Sequence, residues 1–188
     1  MEADWSVEIG ADLPVIDAAW PGFVDVRHHP FQLAEIAEAN AYPALRDALI
    51  ELNDPFSQMF SVKSDVWAME PDEIDPYEFG CPSDEVQVGL ASYIDIVLWD
   101  HLLFSAFPWH ERWARAVVDV LHTRELTSGR VDLVVRPALA RGHEGFGVTL
   151  YAAGCGVDSQ AARASWQRVL HAAVAATMRE TRASSSIG

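Results

Sequence analysis

Lysine is nearly missing from this chain. Lys63 is the sole lysine among 13 basic residues, which stand against 28 carboxylates to give a formal net charge of -15. So acidic a protein repels phosphate backbones and anionic lipid surfaces, so no nucleic acid and no membrane is expected as a partner. Cations, small molecules and other proteins remain. The lysine scarcity and the abundance of alanine read as genome composition bias and carry no function.

Cysteine is equally sparse. Cys81 and Cys155 lie far apart in the chain and form neither a CxxC nor a zinc-ligand spacing, so neither a disulfide framework nor a structural metal is expected. A reducing compartment is the simplest setting. The start, Met1 to Trp5, lacks the basic region and apolar core of a secretory signal, and no apolar run approaches the ~20 residues of a membrane span. Taken together, these absences give a cytoplasmic location as the expectation.

Catalytic signatures are also wanting. There is no HExxH helix and no Gly-x-Ser-x-Gly elbow. Gly142-x-x-Gly145-x-Gly147 joins two strand-like runs with no helix N-terminus after it, so it does not qualify as a phosphate loop. Cys155, between Gly154 and Gly156, has no basic neighbour to activate it, and the glycines there suit a turn into the last helix. His28 and His29 are adjacent at the end of a β-type run and could reach a metal with Asp25 only if the strand has already ended. The bland reading is a pair of surface or capping histidines. No cofactor and no metal is expected.

What the chain does have is one aspartate inside each of several β-type runs: Phe23–Arg27 around Asp25, Ser61–Trp67 around Asp65, Tyr93–Val97 around Asp95 and Arg130–Arg136 around Asp132. Aspartate is depleted in strands, so the recurrence needs a reason. Side chains alternate faces along a strand, which sorts these runs into two surfaces. Val24, Val26, Val62, Val66, Ile94, Ile96, Leu98, Val131, Leu133 and Val135 share an oily face. Phe23, Asp25, Arg27, Lys63, Asp65, Trp67, Tyr93, Asp95, Trp99, Arg130, Asp132 and Arg136 share a charged and aromatic one.

Half of the 188 residues are hydrophobic, enough for one core. The expected organisation is a single domain over 1–182 and a frayed tail over 183–188. Weak alternation over Trp5–Ile9, a turn at Gly10–Pro14 and an extended stretch over Val15–Val26, broken by Pro21-Gly22, open the chain. Pro30 suits a helix start, Pro43 restarts the helix, and Leu45, Leu49 and Leu52 line one face. Phe60–Met69 and Val86–Trp99 read as strands, the second a central one, with an acidic, poorly ordered loop over Glu70–Glu85 between them.

Ser105 is a candidate cap for a helix beginning near Pro108, whose stripe is Trp109, Trp113, Ala116, Val117, Val120 and Leu121. Arg130–Leu139 and Phe146–Cys155 form a hairpin through Arg141–Gly145, with Pro137 marking the first as an edge strand or a bulged one. Asp158 caps a last helix carrying Ala162, Trp166, Val169, Leu170, Ala173 and Val174. These elements predict an α+β two-layer sandwich: a largely antiparallel sheet of about five to six strands, with about three helices on one face and the charged, aromatic face opposite. The echo between Gly22–Val26 and Gly129–Leu133 lacks a fixed period and reads as chance.

Three of the four aspartates carry a cation two positions away on their own face: Arg27 for Asp25, Lys63 for Asp65 and Arg130 for Asp132. Asp95 does not, and must find its partner on a neighbouring strand. The charged face can serve as a solvated lattice of ion pairs, as a cleft walled by Phe23, Trp67, Tyr93 and Trp99 that takes a small polar ligand, or as the seam of a homodimer. A small-ligand-binding or self-associating module is the leading expectation. The alternatives are an enzyme on a small polar substrate with Asp95 as general base, and a purely structural homodimer.

Overall fold

Runs of β-branched residues separated by proline, glycine and asparagine turns become six strands among the described residues. The computed structural model of the chain describes residues 1–10, 15–81 and 88–185. The strands are β1 (Glu2–Val7), β2 (Ile16–Asp17), β3 (Met59–Met69), β4 (Val88–Leu98), β5 (Gly129–Ala140) and β6 (His143–Gly156). They form one sheet in the order β1-β5-β6-β4-β3, with β2 pairing β5 beyond the end of β1. The β5–β6, β6–β4 and β4–β3 pairs are antiparallel, as expected, whereas β1 and β2 run parallel to β5.

The helices are α1 (Ala37–Ala41), α2 (Pro43–Leu52), α3 (His101–Phe104), α4 (Phe107–His122) and α5 (Ser159–Ser185), with 3-10 turns at Pro30–Glu35 and Pro71–Glu73. Helices α2, α4 and α5 cover one face of the sheet. Leu45 and Leu49 of α2, Trp113, Val117 and Leu121 of α4, and Trp166, Val169 and Leu170 of α5 are buried with Ile94, Ile96, Val131, Leu133, Val135 and Leu150 in one core. Each contributes by the same rule: an apolar stripe at helical spacing meets the alternate residues of a strand. Asp158 accepts from the Ala161 backbone N–H at 2.8 Å and so caps α5 as its sequence position implied. No helix among the described residues is long and apolar enough to cross a membrane.

Helix α5 lies very close to the sheet. A Cβ on Gly154 would overlap the backbone of Trp166, and one on Gly129 would overlap Val169. Gly154 therefore provides clearance beneath α5 rather than a turn into it. Trp166 uses this proximity to donate its Nε1 proton to Ser92 Oγ at 2.9 Å, with both residues fully buried.

Several sequence expectations are corrected. Phe23–Arg27 is not a strand: Asp25 accepts from the His28 backbone at 3.0 Å and contacts its ring at 2.8 Å, closing a turn that competes with extended pairing. With that strand gone, the echo with Gly129–Leu133 marks no second half. The β5–β6 turn is tighter than expected, confined to Arg141 (φ 52) and Gly142 (φ 76), with His143 already paired to Ala140.

Pro137 lies on an interior strand. Its ring nitrogen faces the side where β1, ending opposite Val135, gives way to β2, which begins opposite Ala138. Ser105 does not cap α4, since its hydroxyl donates to the His101 carbonyl. Asp100 instead caps the unanticipated turn α3 through the Leu103 N–H at 2.9 Å.

Residues 70–81 of the expected acidic loop fold onto the sheet, with Ile74 and Phe79 buried against Cys155 in a small second core. The remainder of that loop (82–85), the first residues of the Val86–Trp99 run (86–87), most of the turn expected at Gly10–Pro14 (11–14) and the end of the tail (186–188) lie outside the described residues.

Candidate functional site

The strand register decides what stands beside what on the helix-free face. Three rows cross it. The first runs Trp67, Ala91, Ala153, Arg130; the second Asp65, Tyr93, Tyr151, Asp132; the third Lys63, Asp95, Thr149, Val134. Lys63, Asp65, Trp67, Tyr93, Asp95, Arg130 and Asp132 thus share one surface, and Arg136 joins them from the next position along β5. All eight come from within three strands, which is why alternation alone could sort them.

Asp25, Arg27 and Trp99 stand apart. Arg27 is a clamp for the loop after α2: its guanidinium donates to the carbonyls of Asp54 (3.1 Å), Pro55 (2.7 Å), Ser57 (2.9 Å) and Met59 (3.3 Å). Trp99, just past the end of β4, is flanked by the Arg27 and Arg141 guanidiniums at 4.7 and 4.6 Å from its ring, and meets Phe60 edge-on. Burial works against ionisation of Asp25, but the His28 N–H, its ring and the nearby charge of His29 bring the carboxyl below its usual range. No set of three or more His, Cys, Asp or Glu side chains converges to hold a metal among the described residues.

The first row forms a trough. Two small residues, Ala91 and Ala153, make its floor, and the large Trp67 and Arg130 close its ends. Tyr151 stands along one side. The folded-back segment carrying Glu73, Glu78 and Phe79 stands along the other, enclosing about 310 Å³. Trp67, Tyr93 and Tyr151 continue across the face as an aromatic row, with ring centroids 6.3 and 6.1 Å apart.

The cations of this face are already engaged. Arg130 grips Asp132 with two hydrogen bonds, Nε at 2.7 Å and Nη2 at 3.0 Å, and reaches Glu78 at 2.5 Å through Nη1. The Asp132 contacts hold its charge more firmly than usual. Beyond this bridge lies a hollow of about 460 Å³ that also carries Glu2, Asp4 and Tyr77. Arg136 donates to Glu8 at 2.7 Å and to both Thr149 Oγ1 and Tyr151 Oη at 3.0 Å. Burial opposes its charge, yet the Tyr151 and Glu8 contacts prevail and raise its pKa.

Asp95 sits behind the aromatic row, only 8% exposed. Burial pushes its carboxyl above the usual range, against the opposing pull of the Thr149 hydroxyl, Arg136 and Lys63. Lys63 is its direct register partner on β3, the cation that its own strand lacks. Tyr93 is likewise raised by burial, and Lys63 beside its hydroxyl pulls it partly back. The Lys63 ammonium also lies 5.6 Å from the Trp20 ring, at a second cleft of about 410 Å³ along the β3 edge.

Ala91, Ala153, Thr149, Tyr151, Glu78 and Phe79 were missed by the sequence reading. Four of these lay in plain alternation: Ala91 two positions before Tyr93, and Thr149, Tyr151 and Ala153 along β6. They escaped because aspartates marked the face, β6 contains none, and alanine signals nothing until its neighbours are known. Neither a protein-family model, nor a curated protein, nor a solved structure matches the chain.

Proposed function

We propose that the trough on the helix-free face binds a small polar ligand carrying a positively charged group on a flat apolar body. The observation that carries this reading is the row Trp67–Ala91–Ala153–Arg130, whose small centre and large ends create an aromatic-walled recess. The sign of the ligand charge follows from occupancy. Arg130 is taken by Asp132 and Glu78, so the walls offer a ligand acceptors rather than a free guanidinium: the remaining lone pairs of Glu73 and Glu78, whose Oε2 atoms already accept from the Glu70 N–H and from Arg130. A cation over the Trp67 or Tyr151 ring gains further attraction from the ring face. The overall charge of -15 attracts such a ligand from a distance.

The test compares two probes of one shape and opposite charge, benzamidine and benzoate, by thermal shift and calorimetry. Benzamidine should stabilise the protein, benzoate should not, and Ala153→Leu, which fills the floor, should abolish the effect. Equal response to both probes removes the charge selection. A benzamidine response unchanged in Ala153→Leu moves the site elsewhere. A second copy of the chain is the competing occupant of this face, and a monomeric mass in solution at high concentration excludes it.

Catalysis by Asp95 is the less supported reading. Its carboxylate accepts the Thr149 hydroxyl at 2.6 Å, and it lies two rows behind the trough floor, screened by the intervening row of Tyr93 and Tyr151. That placement suits a group that fixes the Thr149–Arg136–Tyr151 network rather than one that meets a substrate.

A further inference from the structure

The two cysteines, 74 positions apart in the chain, meet in the fold with their sulfurs 2.7 Å from each other. That is far inside the ~3.5–4.0 Å of ordinary non-bonded contact between carbon atoms, and not far beyond the ~2.05 Å of a sulfur–sulfur bond. We propose that Cys81 and Cys155 are a modification site that closes to an intramolecular disulfide, fastening the segment of residues 71–81 to β6.

The meeting is built by several independent contacts. The Phe79 carbonyl accepts from the Gly129 N–H at 2.9 Å, pinning the segment to the start of β5. Ile74 and Phe79 are buried over β4 and β6, where Gly89 leaves room for the Ile74 side chain. Gly80 adopts φ +59, a left-handed turn that an L side chain resists, and Cys81 follows it directly. Cys155, 1% exposed, is held by its own N–H to the Ser128 carbonyl at 3.0 Å, so the sulfur it presents does not wander.

The two thiols differ in access, which sets the order of events. Cys81 is partly exposed and Cys155 is buried, so a small-molecule disulfide such as oxidised glutathione reaches Cys81 first. The Cys81 thiolate attacks one sulfur of that disulfide, a glutathione thiolate leaves, and a mixed disulfide forms. The Cys155 sulfur then loses its proton and attacks Cys81 Sγ, expelling the second glutathione. One oxidised glutathione becomes two reduced thiols, and the protein's two thiols become one disulfide.

This inference does not depend on the ligand of the trough. The experiment treats the purified chain with glutathione buffers of increasing oxidising strength, blocks free thiols and measures intact mass, linked peptides and melting temperature. The expected result is a loss of about 2 Da, from two hydrogens, and a single Cys81–Cys155 linked peptide. A rise in melting temperature on the order of 5–15 °C should accompany closure, because the bond closes a long loop. Cys81→Ser should show neither change and should keep the reduced protein's melting temperature. Cys155→Ser should stop at the glutathione adduct on Cys81. A stable adduct on Cys81 in the unaltered chain, disulfide-linked dimers, or no reaction in a protein that remains folded overturns the proposal.

Discussion

Thr149 donates its hydroxyl to Asp95 at 2.6 Å while Arg136 donates to the same hydroxyl at 3.0 Å. A buried carboxylate is thereby joined to a guanidinium through one oxygen. The join is incomplete compensation: burial still raises the Asp95 pKa, so its charge costs the fold stability.

Asp95→Asn should therefore stabilise the protein at neutral pH. A carboxyl raised in the folded state adds stability that is fully present below its unfolded pKa and is lost as pH climbs through the folded one. Asparagine keeps an acceptor for Thr149 without the charge. The melting temperature should rise by about 2–4 °C at pH 7, equivalent to about 1 kcal/mol in a chain of this size, and the gap should close in acid. A lower melting temperature at pH 7 would show that Lys63 and Arg136 outweigh burial.

His110 makes the fold acid-sensitive. It is 1% exposed beneath Trp109 and Phe146, and burial lowers its pKa to about 4 despite the Ala106 and Phe146 carbonyls. The unfolded chain takes up its proton near pH 6.5, so stability contributed by neutral His110 is complete above that pH and declines as pH falls toward about 4. The loss over that window amounts to about 3 kcal/mol. Urea unfolding at pH 7 and pH 4.5 should show it, and His110→Gln should flatten the slope.

Gly154→Ala and Gly142→Ala should differ sharply. A methyl on Gly154 would run into the Trp166 backbone, whereas one on Gly142 meets nothing within 4 Å and faces only the strain of φ +76. The first should cost about 3 kcal/mol or more through displacement of α5, and the second about 1 kcal/mol. Chemical denaturation of both variants measures the contrast.

Arg27→Lys should lower stability by about 1–2 kcal/mol, because an ammonium cannot span the four carbonyls that the guanidinium holds. Binding of benzamidine should be unaffected, since the clamp stands apart from the trough and holds the loop after α2. Loss of binding with stability unchanged would return Arg27 to the site.

Much of the architecture was legible in the sequence because it follows from short-range periodicity. The alternation in Arg130–Arg136 and Tyr93–Leu98, the leucines of α2 and the Asp158 cap each show within a few residues which face or end they occupy. Phe23–Arg27 misled for the same local reason. Its alternating pattern suits a strand, but the Asp25 side chain satisfies the His28 N–H and a turn prevails. The parallel pairing of β1 with β5 left no local mark, since the two strands are separated by most of the chain.

The sequence by itself determined that the strands have one oily and one charged face and, for most of the residues in the runs that do form strands, which face each takes. Only the tertiary structure decided which of them are neighbours. Alternation has a period of two along one strand, but strand order and register are set by how the whole apolar surface packs under α2, α4 and α5. That packing brought Lys63 and Thr149 to Asp95, set two alanines between Trp67 and Arg130, and brought the sulfurs of Cys81 and Cys155 together.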